Sequence, residues 1–187
     1  MSSVMSQKKK QTKAVAFGGI LCGLAVAVML LSGIFPTAEY SLPAIAGVFM
    51  IAMVIEYGYK RALICYVAVA VLCLLLVPNK EPAMLFAGFF GYYPILKGKL
   101  ESLRSRVVEW VVKFLVFNGA VIASYAVIVY LFGLGQVLEE FQTFGQWSLL
   151  IFLGLGNIVF LLFDLALSRL IWLYYNRIKP RFMDKLL

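Results

Sequence analysis

The sequence predicts an all-α polytopic membrane protein with six transmembrane helices and both termini in the cytoplasm, on three observations. Of its 187 residues, 63% are hydrophobic, and the mean hydropathy is +0.94. Charged residues make up only 14%, against about 25% in a soluble domain. That is too little polar surface to cover a water-facing globule, whereas lipid suits it. Finally, the cations are sorted. With six spans laid out, all of the 17 Lys and Arg residues except Lys80 fall on one side, as short cytoplasmic loops require. The net charge of +8 therefore reports orientation in a bilayer. The basic residues flank apolar runs and line no polar face that a nucleic acid would use.

Each element follows in chain order. Residues 1–13 form a basic cytoplasmic segment containing "KKKQTK". The apolar run Ala14–Phe35 is longer than a signal-peptide core and has no small-residue cleavage site before Pro36, so it is expected to stay as the first span. The further expected spans are Leu42–Tyr57, Ala62–Val77, Ala83–Leu96, Val107–Phe132 and Trp147–Tyr174, against a requirement of ~20 apolar residues per helix. Together they make one transmembrane domain, residues 14–175, followed by a basic tail, 176–187. The middle three spans are short. In the fourth, Pro94 is expected to bend or end the last turn, because proline removes an amide donor. Between the second and third spans lies "EYGYKR", a tight inner turn whose Lys60 and Arg61 hold both spans in place and whose Gly58 supplies backbone freedom. The second inner loop is "KGKLESLRSR". On the outer side, "FPTAEYSLP" and "VPNKEP" are short loops framed by proline. The longer segment Gly133–Trp147 is either a lid over an outward-facing site or an ordinary interfacial loop with Trp147 in the aromatic belt.

Embedded polar residues need partners, since a charge near a span's centre costs about 2.5–3.5 kcal/mol on insertion scales. Asp164 is the clearest case, with Lys113 and Arg169 as the expected cations for an intramembrane ion pair. A structural clamp between the last two helices is favoured over a proton or ion site. Asn118 and Asn157 would be unsatisfied facing lipid. Asn157, with Ser124 and Tyr125 at a similar depth, either lines a small outer pocket or serves interhelical hydrogen bonding. On the first span Gly19, Gly23 and Ala27 recur every fourth residue, with Gly18 and Cys22 alongside, a spacing that permits close helix approach. Cys22, Cys65 and Cys73 lie in apolar runs without metal or redox spacing.

There is no His, and there is no phosphate-binding loop, nucleophile elbow or zinc-protease motif. Neither an enzyme nor a cofactor or metal site is expected. Any ATP-driven process must draw its ATPase from another chain.

The stretch "AFGGILCGLAVAV", the loop "FPTAEYSLP", the turn "EYGYKR", the long outer segment before the last helix and the basic "YYNRIKPRF" form a layout. It resembles the substrate-binding S component of energy-coupling factor vitamin transporters. The resemblance spans nearly the whole chain as layout; the family's small-residue pair is Ala-based where this chain has Gly19 and Gly23. It implies capture of a vitamin-like solute from outside, a transmembrane coupling subunit and two cytoplasmic ATPases as partners, and a multi-pass location in a bacterial plasma membrane. By the same resemblance Gly19, Gly23 and Ala27 contact the coupling subunit. Glu39, Tyr40, Asn79, Tyr125, Gln146, Trp147 and Asn157 are the expected pocket or lid residues, chosen by depth and polarity. Two other classes remain open: an accessory or scaffold protein without a solute site, and a small secondary transporter using Asp164.

Overall fold

A computed structural model describes residues 2–132 and 148–179. Among them every regular element is helical and none is a strand. The chain packs as two compact units, Met1–Arg104 and Ser105–Leu187.

Unit 1 opens with α1, Ser2–Leu30, which ends in a 3₁₀ turn at Leu31–Gly33; a second follows at Pro36–Ala38. Next come α2, Ser41–Tyr57, and α3, Tyr59–Leu76. A single residue, Gly58, joins them at φ +84°. That left-handed backbone is one an L side chain rarely adopts, and it lets the chain reverse without a longer loop. The inward faces follow helical periodicity. On α1 the buried residues Ala14, Gly18, Leu21, Ala25 and Met29 recur every three or four positions. Of these, Leu21, Ala25 and Met29 meet Ala46, Met50 and Met53 of α2 and Ala62, Cys65, Val69 and Cys73 of α3 in one core. Small and sulfur-bearing side chains dominate it, so the helix axes lie close and thioethers fill the remaining gaps.

The fourth passage departs from expectation. It is not one helix over Ala83–Leu96 but three pieces: α4, Lys80–Leu85; a π turn, Phe86–Phe90; and α5, Tyr93–Leu100. Pro94 does not end a helix; it stands in the first turn of α5, where its missing N–H has no intrahelical partner to lose. The break falls upstream, where Gly91 N–H donates to Phe86 O at 2.8 Å. This widened turn disturbs the regular carbonyl ladder, and the Tyr66 hydroxyl donates to Ala87 O. Much of the passage is buried, including Phe86, Phe89, Tyr93 and Ile95. At Gly47 of α2 a Cβ would overlap the Phe90 carbonyl oxygen, so only glycine admits this approach. Helix α5 also extends through part of the expected "KGKLESLRSR" loop. Lys97 is fully buried there and pairs with Glu101 at 2.6 Å.

Unit 2 contains α6, Arg106–Phe132, and α7, Ser148–Leu173, the latter ending in a π turn at Tyr174–Ile178. Along α6 the buried positions are Lys113, Phe117, Val121, Ser124 and Ile128; along α7 they are Phe160, Asp164 and Leu167. Each helix thus presents one stripe to the other. The outward faces carry Leu115, Ile122, Leu155 and Leu162, a pattern suited to lipid.

Four helical stretches among the described residues are long and apolar enough to cross a membrane: Gln11–Gly33, Tyr59–Leu76, Arg106–Tyr130 and Ile151–Arg177. The apolar α2, at 17 residues, is shorter, and each piece of the broken fourth passage is shorter still.

Candidate functional site

The polar residues gather at one end of unit 1, where the loop after α1 meets the loop after α3. Asn79 is the N-cap of α4: its Oδ1 accepts from the Glu81 N–H at 3.2 Å. This is the usual work of Asn before a helix, and Glu81 in the first turn suits the helix dipole. The other end of the same amide, Nδ2, donates to Glu39 Oε1. Beside it Tyr40 OH donates to Glu81 Oε1 at 3.1 Å. Lys80 turns back along the chain, its Nζ donating to Leu74 O at 3.0 Å and Val77 O at 2.9 Å. A cation here answers the unpaired carbonyls and negative dipole end of α3.

Three of the expected site residues, Glu39, Tyr40 and Asn79, are therefore brought together, with Glu81 completing the group. Glu81 is not among the expected site residues. Its signal is the Asn-x-Glu pattern at a helix start, which places the acid beside its own cap. Tyr40 is half exposed, so the group borders open surface. Gln146 and Trp147, with the rest of the expected lid, lie outside the described residues.

Tyr125 and Asn157 belong to unit 2 and form part of an antiparallel ladder between α6 and α7. Tyr125 meets Phe152 edge to face at 5.2 Å. Asn118 and Asn157 each donate through Nδ2 to the other's Oδ1 at 3.0 Å. Each also donates to a carbonyl one turn back in its own helix, Phe114 O at 2.8 Å and Leu153 O at 2.7 Å. Phe117 stacks on Phe160 at 4.8 Å. In the last rung Lys113 Nζ lies 3.1 Å from Asp164 Oδ2 and 2.8 Å from Glu109 Oε1, with the Trp110 ring 4.9 Å away. Lys113 and Asp164 are both buried. A buried ammonium held by two carboxylates and an aromatic face has its charge answered on three sides. Glu109 is also absent from the expected ion pair, although its four-residue spacing to Lys113 marks it. Arg169 is exposed.

The small-residue stripe of α1 divides between two faces. Gly18 packs inward, where a Cβ would stand 3.1 Å from Cys65 Sγ. Gly19, Gly23 and Ala27 are exposed, and a Cβ at either glycine would meet nothing within 4 Å. Among the described residues no group of His, Cys, Asp or Glu is arranged to hold a metal ion. No family model, curated protein or solved structure matches the chain.

Proposed function

We propose that this chain is the substrate-capture subunit of an ATP-driven uptake transporter for a vitamin-like micronutrient. On this reading it is a six-span protein of the plasma membrane with both termini cytoplasmic. It works with a transmembrane coupling subunit and two ATPases supplied by other chains. The observation that carries the proposal is the polar end of unit 1. Glu39, Tyr40, Asn79 and Glu81 form one hydrogen-bonded group at the start of α2, whereas Lys60 and Arg61 lie just beyond its other end. Cations mark the cytoplasmic side, so the acid and amide groups face out, where a solute arrives. The exposed Gly19–Gly23–Ala27 stripe supports docking of a coupling helix.

The test is direct binding. Purified protein is challenged with a panel of vitamins and related micronutrients by heat-denaturation shift, and any co-purifying small molecule is identified by mass spectrometry. A submicromolar ligand whose binding is lost in Glu39→Gln and Asn79→Ala is expected. If no micronutrient binds and no ATPase co-purifies, the reading fails.

One observation favours a second reading, a membrane accessory protein without a solute site. Asn79 spends one end on capping α4 and the other on Glu39, an arrangement in which the chain's own side chains tie two loops together. Variants that lower stability and have no solute phenotype would support it.

A further inference from the structure

We propose that the opposite end of unit 1 docks the headgroup of an anionic phospholipid, with the acyl chains lying along the outer face of α3. The inference rests on the membrane-spanning reading but not on solute capture. The α2–α3 turn and the last turn of α5, about forty residues apart in sequence, meet there. A Cβ at Gly98 would fall 2.6 Å from the Tyr59 hydroxyl, and Lys99 Nζ stands 5.4 Å over the Tyr59 ring. Arg61 lies 5.7 Å over the neighbouring Tyr57 ring. Lys60, Lys99 and Gly98 are exposed, and Tyr59 is 39% exposed.

The acids at this end are Glu56, half-buried in the last turn of α2, and Glu101, which pairs with the buried Lys97. The surface charge is therefore positive. Lys60 also heads a continuous apolar stripe. Leu63, Ile64, Val67, Val71, Leu72 and Leu75 are all exposed on α3 at three- and four-residue spacing. This 18-residue helix is about 27 Å long, close to the thickness of a bilayer's hydrocarbon core. A phosphodiester with two acyl chains matches both parts at once: anion against ammonium, and hydrocarbon against the stripe. Tyrosine rings beneath the cations suit the headgroup level, where amphipathic rings settle.

The full chain, delipidated in neutral detergent, is titrated with dioleoyl phosphatidylglycerol or dioleoyl phosphatidylcholine and read by native mass spectrometry. The first phosphatidylglycerol is expected to bind about tenfold more tightly than phosphatidylcholine. Lys60→Gln with Lys99→Gln removes most of that preference. Both side chains are exposed, so the fold is not at stake. The control pair Arg177→Gln with Lys179→Gln, at the end of α7, leaves it in place. Equal binding of the two lipids, or equal loss in both double variants, overturns the proposal. Displacement by soluble glycerol phosphate as effective as by the lipid would show a free-anion site, and the lipid assignment would fall. A chain that stays in the aqueous phase without detergent would sink the membrane reading itself, a result separate from either binding outcome.

Discussion

Unit 1 and unit 2 solve the same problem with different materials. Inside lipid there is little hydrophobic drive between helices, so association depends on close packing and on polar contacts. Unit 1 has three helices and a broken passage sharing one core, and its specificity comes from shape: alanines, methionines, Gly47 against the Phe90 carbonyl, and a single-glycine reversal at Gly58. The helix pair α6–α7 of unit 2 has one seam. A seam of ring stacking alone would slide by a turn at modest cost. The Asn118–Asn157 pair and the Lys113–Asp164 pair fix its register, because a slip would leave amides and charges facing hydrocarbon. Where several helices share a core, shape is enough; where two meet, polar rungs set the alignment.

Breaking the charged rung should have the largest effect. Lys113→Met leaves Asp164 and Glu109 without their shared cation, and a loss of about 3–5 kcal/mol is expected. It is read as the midpoint of heat denaturation in mild detergent. Combining Lys113→Met with Asp164→Leu should recover much of it; if the double variant is no better than the single, the pair is not the unit that matters. Next comes shape in unit 1. Gly47→Ala drives a methyl group into a backbone carbonyl and should cost on the order of 3 kcal/mol. A wild-type melting point for that variant would show that the passage is free to move away.

Tyr66→Phe strands the Ala87 carbonyl that its hydroxyl satisfies, at about 2 kcal/mol; faster proteolysis within residues 80–100 is the second readout. Asn118→Leu should cost only about 0.6–1.7 kcal/mol, and the double variant with Asn157→Leu less than twice that. The smallest effect sharpens the contrast. Gly23→Leu adds a side chain where nothing lies within 4 Å, so stability should change by less than about 0.5 kcal/mol. On the proposed transport function, co-purification with a coupling subunit should nonetheless fail, and unchanged assembly would remove the docking role from this face.

Much of the fold could be read from composition and periodicity. Long apolar runs locate α1, α3, α6 and α7, and Gly58 locates the reversal, since each depends on residues near in sequence. The fourth passage could not be read that way. Pro94 signals a break, but whether a proline ends one helix or begins another depends on where the preceding residues pack. Here Gly47 and Tyr66, both distant in sequence, hold the Phe86–Phe90 turn. The polar end of unit 1 was half visible: loop position pointed to Glu39, Tyr40 and Asn79, while the pairing of Glu39 with Asn79 is a tertiary contact no local pattern carries. In unit 2, Asp164 announced itself by the cost of burying a carboxylate. Glu109 was legible only through its four-residue spacing to Lys113, a signal that its place as an ordinary first-turn acid weakens.

The π turn at Phe86–Phe90 has a consequence for how this chain tolerates change in length. A π turn is an α-helix carrying one residue too many, and each residue advances a helix by about 100°. Deleting any one residue there would close the widened turn, taking the Ala87 carbonyl from the Tyr66 hydroxyl and the Phe90 carbonyl from its seat against Gly47. Lineages of this protein should accept varied side chains across that stretch far more readily than a gap within it.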